Sequence, residues 1–125
     1  MKIEELRIGN IVRNRAGELV VVESIISKDC ILCSDENNKT KQTWGKYEEY
    51  ELYPVWLSEN LLSRFKFTKS DSTNYEKKNI KLTINDTGWD LDINYNPIVC
   101  AGSVKFLHQV QNLIFDTTGE NMFKL

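Results

Sequence analysis

The chain has 125 residues, a formal net charge of −2 and an apolar content of 41%, which is enough for a single domain with a buried core. It has no apolar run of the roughly 20 residues needed to span a bilayer, and the opening MKIEELRIGN lacks the apolar segment of a signal peptide. We therefore expect a cytoplasmic protein without a membrane partner. Its three cysteines, an odd number, then indicate reduced thiols rather than a disulfide framework.

From Leu6 to about Val55 the sequence predicts short strands joined by polar turns. The strand-like stretches are NIVRN, LVVVESII, CILCS and KQTWGKYEEYELY, with SDENNKT as the longest predicted loop. The β-branched run in LVVVESII is typical of a strand buried on both faces. Several short strands in this length predict a small SH3-like antiparallel β-barrel or a curled sheet, an architecture that identifies no ligand.

The second part of the chain is predicted to begin with a helix. We divide the sequence into residues 1–55 and 56–125, and expect both parts to form one compact unit. Ser58 offers a hydroxyl that can cap a helix, and the apolar residues that follow share one face: Leu61, Leu62 and Phe65. The next stretch, TKSDSTNYEKKN, lacks periodicity and is predicted to be a surface loop.

A β-hairpin is predicted where IKLTI and WDLDINY alternate around a four-residue turn, residues 85–88. The expected register pairs apolar residues on one side and polar residues on the other: Ile84 with Trp89, Leu82 with Leu91, Ile80 with Ile93, Lys81 with Asp92 and Thr83 with Asp90. A turn at Asn96-Pro97 and a third strand at IVCA follow. Ser103 is predicted to cap a final helix that ends near Thr118-Gly119. The fold class is therefore α+β.

Two short patterns resemble metal or redox sites. The CILC stretch has CxxC spacing, but on a strand this spacing sends Cys30 and Cys33 to opposite faces. A zinc site would need Cys100 and His108 as further ligands, and both lie far along the sequence without forming a second closely spaced pair. A metal or redox protein is therefore the least favoured function, behind the two that are described at the end of this section. The stretch DLDINYNPIVCA begins like a calcium loop, but Tyr95 stands where the loop needs glycine and Ala101 where it needs glutamate. We expect no metal and no cofactor.

The sequence also favours a non-enzymatic protein. It has one histidine, and it lacks the G-x-S-x-G, HExxH and glycine-rich phosphate-loop motifs. On a helical wheel His108 lies on the flank of an apolar stripe, with Val104, Gln111 and Phe115, where a packing role is expected. We predict no catalytic residues and no small-molecule substrate.

Basic residues and aromatic neighbours are concentrated in one segment, which begins at Arg64 near the end of the first predicted helix. They form the predicted partner-binding site: Arg64, Lys66, Lys69, Tyr75, Lys77 and Lys78. A positive patch with aromatic residues can hold single-stranded nucleic acid. However, an acidic run (Glu48, Glu49, Glu51 and Glu59) and the slightly negative net charge make strong nonspecific nucleic-acid binding less favourable. The polarised surface favours a protein or protein–RNA partner, with RNA contact as an open alternative.

Three ordered stretches resemble a family of small, largely uncharacterised proteins from phages and prophages of Bacteroidetes. They are ELRIGNIV, LSENLLSRFKFTK and FLHQVQNLIFDTTGE, where the family reads like ELRIGN, PIPLTEEWLLKFGF and YVHQLQNLYFALTGEEL. The matching positions are residues 5–10, Pro54, residues 57–67, 108–109, 111–113, 115 and 118–120. Lys66 departs from the family pattern, which has glycine there, and so do Asp116 and Thr117, which stand at positions of alanine and leucine.

The resemblance implies a phage accessory protein in the cytoplasm of a bacterial host. It implies no enzymatic activity that could be transferred to this chain. We therefore expect a non-enzymatic protein that binds and modulates or inhibits a host protein or ribonucleoprotein complex, and an anti-CRISPR protein acting on an RNA-guided effector is one such inhibitor. The alternative is a nucleic-acid-associated SH3-like binding module.

Overall fold

The computed structural model describes residues 1–37, 39–95 and 98–125. For residues 95 and 98–100 it describes the backbone only. The chain divides into two compact units. Unit 1 comprises residues 1–55 together with Leu125, and unit 2 comprises residues 56–124.

Unit 1 is an open antiparallel sheet of four strands. The strands are β1 (Ile11–Arg13), β2 (Leu19–Ser27), β3 (Cys30–Ser34) and β4 (Gly45–Tyr47), and they lie in the order β1-β2-β3-β4. Short 3-10 turns occupy Ile3–Glu5, Lys41–Thr43 and Glu49–Glu51. Of the two forms predicted for this part, the curled sheet agrees with the structure, because the described strands do not close into a barrel.

Strand β2 is buried on one face only, so the predicted burial of both faces is wrong. Val20 and Val22 are buried on one face, whereas Leu19 and Val21 on the other face are only partly buried. Further along the strand, Ile26 is 66% exposed. The pairing with β3 shifts between Ile25 and Ser27, which leaves Ile26 as an extra residue in a β-bulge. A β-branched run favours a strand but does not determine which faces are covered. The core of unit 1 consists of Leu6, Val12, Val20, Val22, Ile31, Cys33 and Leu52.

Unit 2 combines two α-helices with a five-stranded antiparallel sheet. Helix α1 (Glu59–Arg64) precedes the strands and helix α2 (Leu107–Thr118) follows them. The strands, in sheet order, are β5 (Thr68–Lys69), β6 (Asn74–Lys77), β7 (Ile80–Asn85), β8 (Gly88–Tyr95) and β9 (Ile98–Val104). The α+β class, the antiparallel sheets and the C-terminal helix are confirmed. So is the Ser58 cap, whose hydroxyl oxygen accepts the Leu61 N–H at 3.1 Å.

The β7–β8 hairpin has the predicted register at all five predicted pairs. Its turn is shorter than predicted, because Asn85 pairs with Gly88 and leaves only Asp86 and Thr87 in the loop. The register of the hairpin is unchanged, because the predicted four-residue turn and the observed two-residue turn both pair Ile84 with Trp89. Strand β9 confirms the third predicted strand, while the predicted Asn96-Pro97 turn lies outside the described residues.

The segment TKSDSTNYEKKN is not a surface loop. It contains β5 and β6, and Tyr75 is only 2% exposed. Between the two strands, the Asp71 carboxylate accepts hydrogen bonds from the backbone N–H groups of Thr73 and Asn74, and these bonds contribute to lowering the pKa of Asp71. Tyr75 is the only buried residue of β6, so the strand is too short for its periodicity to stand out among the charged residues.

Helix α2 begins later than predicted, and Ser103 does not cap it. Ser103 lies in β9, where its hydroxyl donates to Asp90 Oδ1 at 3.2 Å. The cap is made by Gln109, whose Oε1 accepts the N–H groups of Lys105 at 2.8 Å and Phe106 at 3.0 Å. The predicted end is confirmed, because Gly119 adopts φ 76° and donates its N–H to the Phe115 carbonyl. Among the described helices, none is both long and apolar enough to cross a membrane.

We predict that Gln109→Ala lowers the free energy of unfolding by about 1–2 kcal/mol, because two backbone N–H groups before α2 lose their acceptor. Urea denaturation would measure the change. The matched control is Ser103→Ala, which is expected to cost less than about 0.5 kcal/mol at its exposed position. Equal losses for the two variants would contradict the assignment of the cap to Gln109.

Candidate partner-binding site

The two cysteines of the CILC stretch lie on opposite faces of β3, as predicted. Cys33 is buried in the core of unit 1, while Cys30 is half-buried. Burial, and then the Glu23 carboxylate, raise the pKa of Cys33 to about 12, which makes this thiol a poor nucleophile or metal ligand. The side chain of Cys100 is not described. Within the described residues, no three His, Cys, Asp or Glu side chains gather closely enough to hold a metal ion.

His108 lies at the edge of the buried face of α2, which agrees with the flank position and the packing role predicted for it. It is 6% exposed, and its ring stacks on that of Phe106 with centroids 5.7 Å apart and planes 14° from parallel. The buried residues of this helix are Leu107, His108, Val110, Gln111 and Ile114. These contacts are those of a residue that packs the helix.

Lys77 is the central residue of the basic segment. Its ammonium donates to the carbonyl oxygens of Phe65 at 2.8 Å and Met122 at 3.3 Å. The Phe65 carbonyl belongs to the C-terminal end of α1, where a cation is favoured by the helix dipole. Burial, then the repulsion of Lys78 and of Lys66, lower the pKa of Lys77. Lys77 therefore links α1 to the C-terminal segment, and two further lysines lie close to it.

Lys66 has a left-handed backbone at the end of α1, with φ 69°. Its N–H donates to the Ser63 carbonyl at 3.1 Å, and the N–H of Phe67 donates to the Leu62 carbonyl at 2.9 Å. This pair of hydrogen bonds is the Schellman motif, in which glycine usually occupies the position that Lys66 has here. A side chain at this φ is strained, so the structure explains why glycine is favoured at this position.

Lys78 is also in the left-handed region, with φ 52°. Lys77 pairs with Ile80 across β6 and β7, so Lys78 is the first residue of a two-residue hairpin loop. Such loops favour glycine or asparagine at positions of positive φ. Lys66 and Lys78 are the only non-glycine residues of the described chain with positive φ. Both lie near the ammonium group of Lys77.

The C-terminal segment supplies the other side of a cleft. Phe123 is 1% exposed and packs against Phe65 and Phe67, with ring centroids 5.1 and 5.8 Å apart. This contact holds the segment beside the β6–β7 turn. The resulting cleft, which we call the lysine cleft, has a volume of about 390 Å³ and is lined by Lys77, Lys78, Glu120, Asn121, Met122 and Lys124.

Among the described residues that line the lysine cleft, Glu120 is the only one with a carboxylate, and its oxygen lies 3.8 Å from the Lys78 ammonium. Its position follows from the end of α2. Gly119 turns the chain, and the Thr118 hydroxyl accepts the Glu120 N–H at 3.2 Å while donating to the Ile114 carbonyl at 2.7 Å. The roles of Glu120, Phe123 and Lys124 were not predicted, because they depend on where the C-terminal segment packs.

The structure separates the six residues of the predicted partner-binding site. Lys66, Lys77 and Lys78 come together, whereas Arg64 and Lys69 are exposed but do not line the cleft. Tyr75 is buried in unit 2, where its ring contacts Trp89 with centroids 5.7 Å apart. Burial, and then the neighbouring Glu59 carboxylate, raise the pKa of Tyr75 to about 12.

A second surface of unit 2 was not predicted from the sequence patterns. Trp56 is 66% exposed, and its ring meets that of Phe106 edge-on at 4.6 Å. A shallow cleft of about 310 Å³ lies beside Phe106, with Trp89, Val104 and Gln109 in its lining. The sequence feature that could have indicated this surface is a tryptophan outside any apolar periodicity, two residues before the Ser58 helix cap.

The acidic run of unit 1 is partly engaged in local structure. Glu51 accepts the Glu48 N–H at 3.0 Å, and Glu49 accepts the Ile3 N–H at 2.9 Å. These carboxylates therefore satisfy backbone donors as well as contributing negative charge.

Fold and site together define a two-unit α+β protein with a basic cleft on unit 2. Comparisons of the chain with protein-family models, curated proteins and solved structures find no match.

We predict that Cys30 reacts with a thiol reagent much faster than Cys33 in the native protein. At pH 8 a thiol with a pKa of about 12 is ionised to only about 1 part in 10⁴, and Cys33 is also shielded by the core. Ellman's reagent on a Cys100→Ser background should therefore titrate one thiol rapidly, and both thiols after denaturation. Equal fast reaction of both thiols would contradict the described faces of β3.

We predict that Lys66→Gly raises the free energy of unfolding by about 0.5–1 kcal/mol, because glycine relieves the left-handed strain. Lys66→Ala is the matched control, since it removes the same charge but keeps a Cβ at φ 69°, and it should change stability little. Chemical denaturation measures both. A similar gain in both variants would point to relief of charge repulsion instead of backbone strain.

Proposed function

We propose that this chain is a non-enzymatic phage or prophage accessory protein, which binds and inhibits or modulates a host protein or ribonucleoprotein complex in the bacterial cytoplasm. An anti-CRISPR protein acting on an RNA-guided effector is one form of this proposal. The resemblance of the three sequence stretches supports the phage context. The contact with the partner is assigned to the lysine cleft.

One observation carries the proposal of a binding surface: lysines occupy two backbone positions that favour glycine, next to a third lysine. Left-handed backbone costs about 1–2 kcal/mol for a residue with a side chain. Strained residues that persist in a fold cluster at functional sites. A positive surface held at such a cost favours electrostatic recognition of a partner, which increases association rates and specificity.

The alternative, a nucleic-acid-associated module, has weaker support from the residues. Binding of single strands commonly depends on exposed aromatic rings that stack on bases. The aromatic neighbours of the basic segment are instead buried, with Phe65 at 4%, Phe67 at 6% and Tyr75 at 2% exposure. The cleft retains positive charge for phosphate contacts, so the test below separates the two functions.

We predict that immobilised protein recovers a stoichiometric partner from a Bacteroidetes host lysate, and that Lys78→Glu with Lys124→Glu abolishes the recovery. Both side chains are exposed, so the reversal acts on the surface and not on the core. Lys77 is unsuitable for this purpose, because its ammonium caps α1. Lys41→Glu, an equal charge change per site at an exposed position of unit 1, is the control and should retain the partner.

Nuclease treatment of the lysate distinguishes the two functions. Under the proposal the partner stays bound after treatment. Recovery of only heterogeneous nucleic acid, with affinity that falls steeply as salt rises, would instead establish the nucleic-acid-associated module. Unchanged recovery by the Lys78→Glu, Lys124→Glu protein would place the contact elsewhere on the molecule.

A further inference from the structure

We infer that the lysine cleft receives an acidic segment of a protein partner, and that Glu120 competes with that segment from within the chain. The inference rests on the proposed function and names the chemistry of its contact. It follows from the charges in the cleft, the geometry of Glu120 and the burial of the nearby aromatic rings.

The cleft has a positive excess that its own carboxylate does not cancel. Its lining contains Lys77, Lys78 and Lys124 against Glu120, which is three positive charges against one negative charge. Lys66 adds a further positive charge close to Lys77. Carboxylates are therefore attracted to this cleft, and the local excess contrasts with the net charge of −2 for the whole chain.

Glu120 already shows how a carboxylate approaches the cleft. The left-handed Gly119 and the Thr118 hydroxyl direct the chain so that Glu120 lies 3.8 Å from the Lys78 ammonium. Both side chains of this pair are more than 60% exposed, at 65% for Lys78 and 61% for Glu120. An ion pair this exposed is weak. A carboxylate from a partner can replace Glu120 at Lys78 without disturbing the core.

An acidic protein segment fits the cleft better than a nucleic-acid strand does. Among the described residues, none that lines the cleft has an aromatic side chain on which a base could stack, and the nearest aromatic rings of the segment are buried. The lysines are compact point charges and form no planar fork for bidentate phosphate recognition. A segment with Asp and Glu side chains needs only such point charges, together with the polar groups of Asn121 and the C-terminal backbone.

The test measures binding of a fluorescently labelled octaglutamate peptide by anisotropy at low salt, with a ten-nucleotide single-stranded RNA as the competing probe. The peptide is expected to bind the wild-type protein, and Lys124→Gln is expected to weaken that binding about two- to fivefold. Glu120→Gln is expected to strengthen it by a similar factor, because the internal competitor is removed.

Glu76→Gln is the matched control for Glu120→Gln. Both variants change the net charge by the same amount, and Glu76 is exposed on β6 but does not line the cleft. The control should leave peptide affinity unchanged within about twofold. Equal strengthening by both variants would show a net-charge effect only and would overturn the role of Glu120. Thermal melting confirms that each variant is folded.

The remaining outcomes are also decisive. Tighter binding of the RNA than of the peptide, with the same dependence on Lys124, would overturn the choice of an acidic protein segment. Failure of the peptide to bind, while a host partner is still recovered through Lys78 and Lys124, would reject this inference and leave the proposed function intact. Peptide binding as expected, with no host partner recovered, would support the cleft and reject the proposed function.

Discussion

The burial of Phe123 is the contact on which the candidate site depends. Its ring packs on Phe65 at the end of α1 and on Phe67 before β5, and it is almost completely buried. Full burial of such a side chain contributes about 1.5–3 kcal/mol. The contact fixes the C-terminal segment, so that the Met122 carbonyl reaches the Lys77 ammonium. Without Phe123 in this position, the β6–β7 turn would have no opposite wall and the cleft would not exist.

Charge and backbone strain coincide in this part of unit 2. Lys77 has a structural role, because its ammonium satisfies a carbonyl at the end of α1. Lys66 and Lys78 have the opposite character, since their backbone conformations favour glycine and their side chains face solvent. A fold selected for stability alone has no need of a lysine at either position. Lys77 therefore helps to hold the surface together, whereas Lys66 and Lys78 present positive charge to a partner.

The polar residues of FLHQVQNLIFDTTGE act mainly within the fold. Gln109 caps α2, His108 packs against Phe106, and Gln111 donates to Asn121 at 3.5 Å. Thr118 and Gly119 end the helix and direct Glu120 to the cleft. A stretch that looks suited to chemistry thus serves two purposes. It fixes the last helix in unit 2, and it delivers one carboxylate to a surface of opposite charge.

Local patterns in the sequence determined the elements whose signals are short-range. The alternation in IKLTI and WDLDINY sets the β7–β8 register, because a one-residue slip would bury charged side chains. Ser58 and Gly119 mark helix boundaries through hydrogen bonds within a few residues. The same patterns identified the basic segment and placed Lys66, Lys77 and Lys78 in it.

Only the tertiary structure decided which face of each element is covered and which distant residues meet. The bulge in β2 exposes Ile26, and the pairing of β6 with β7 buries Tyr75. Local propensity predicts neither the exposure of Ile26 nor the burial of Tyr75. The cap of α2 by Gln109 depends on where β9 ends. The lysine cleft joins a hairpin turn to a segment more than 40 residues later, since burial of Phe123 is a long-range contact that no local pattern encodes.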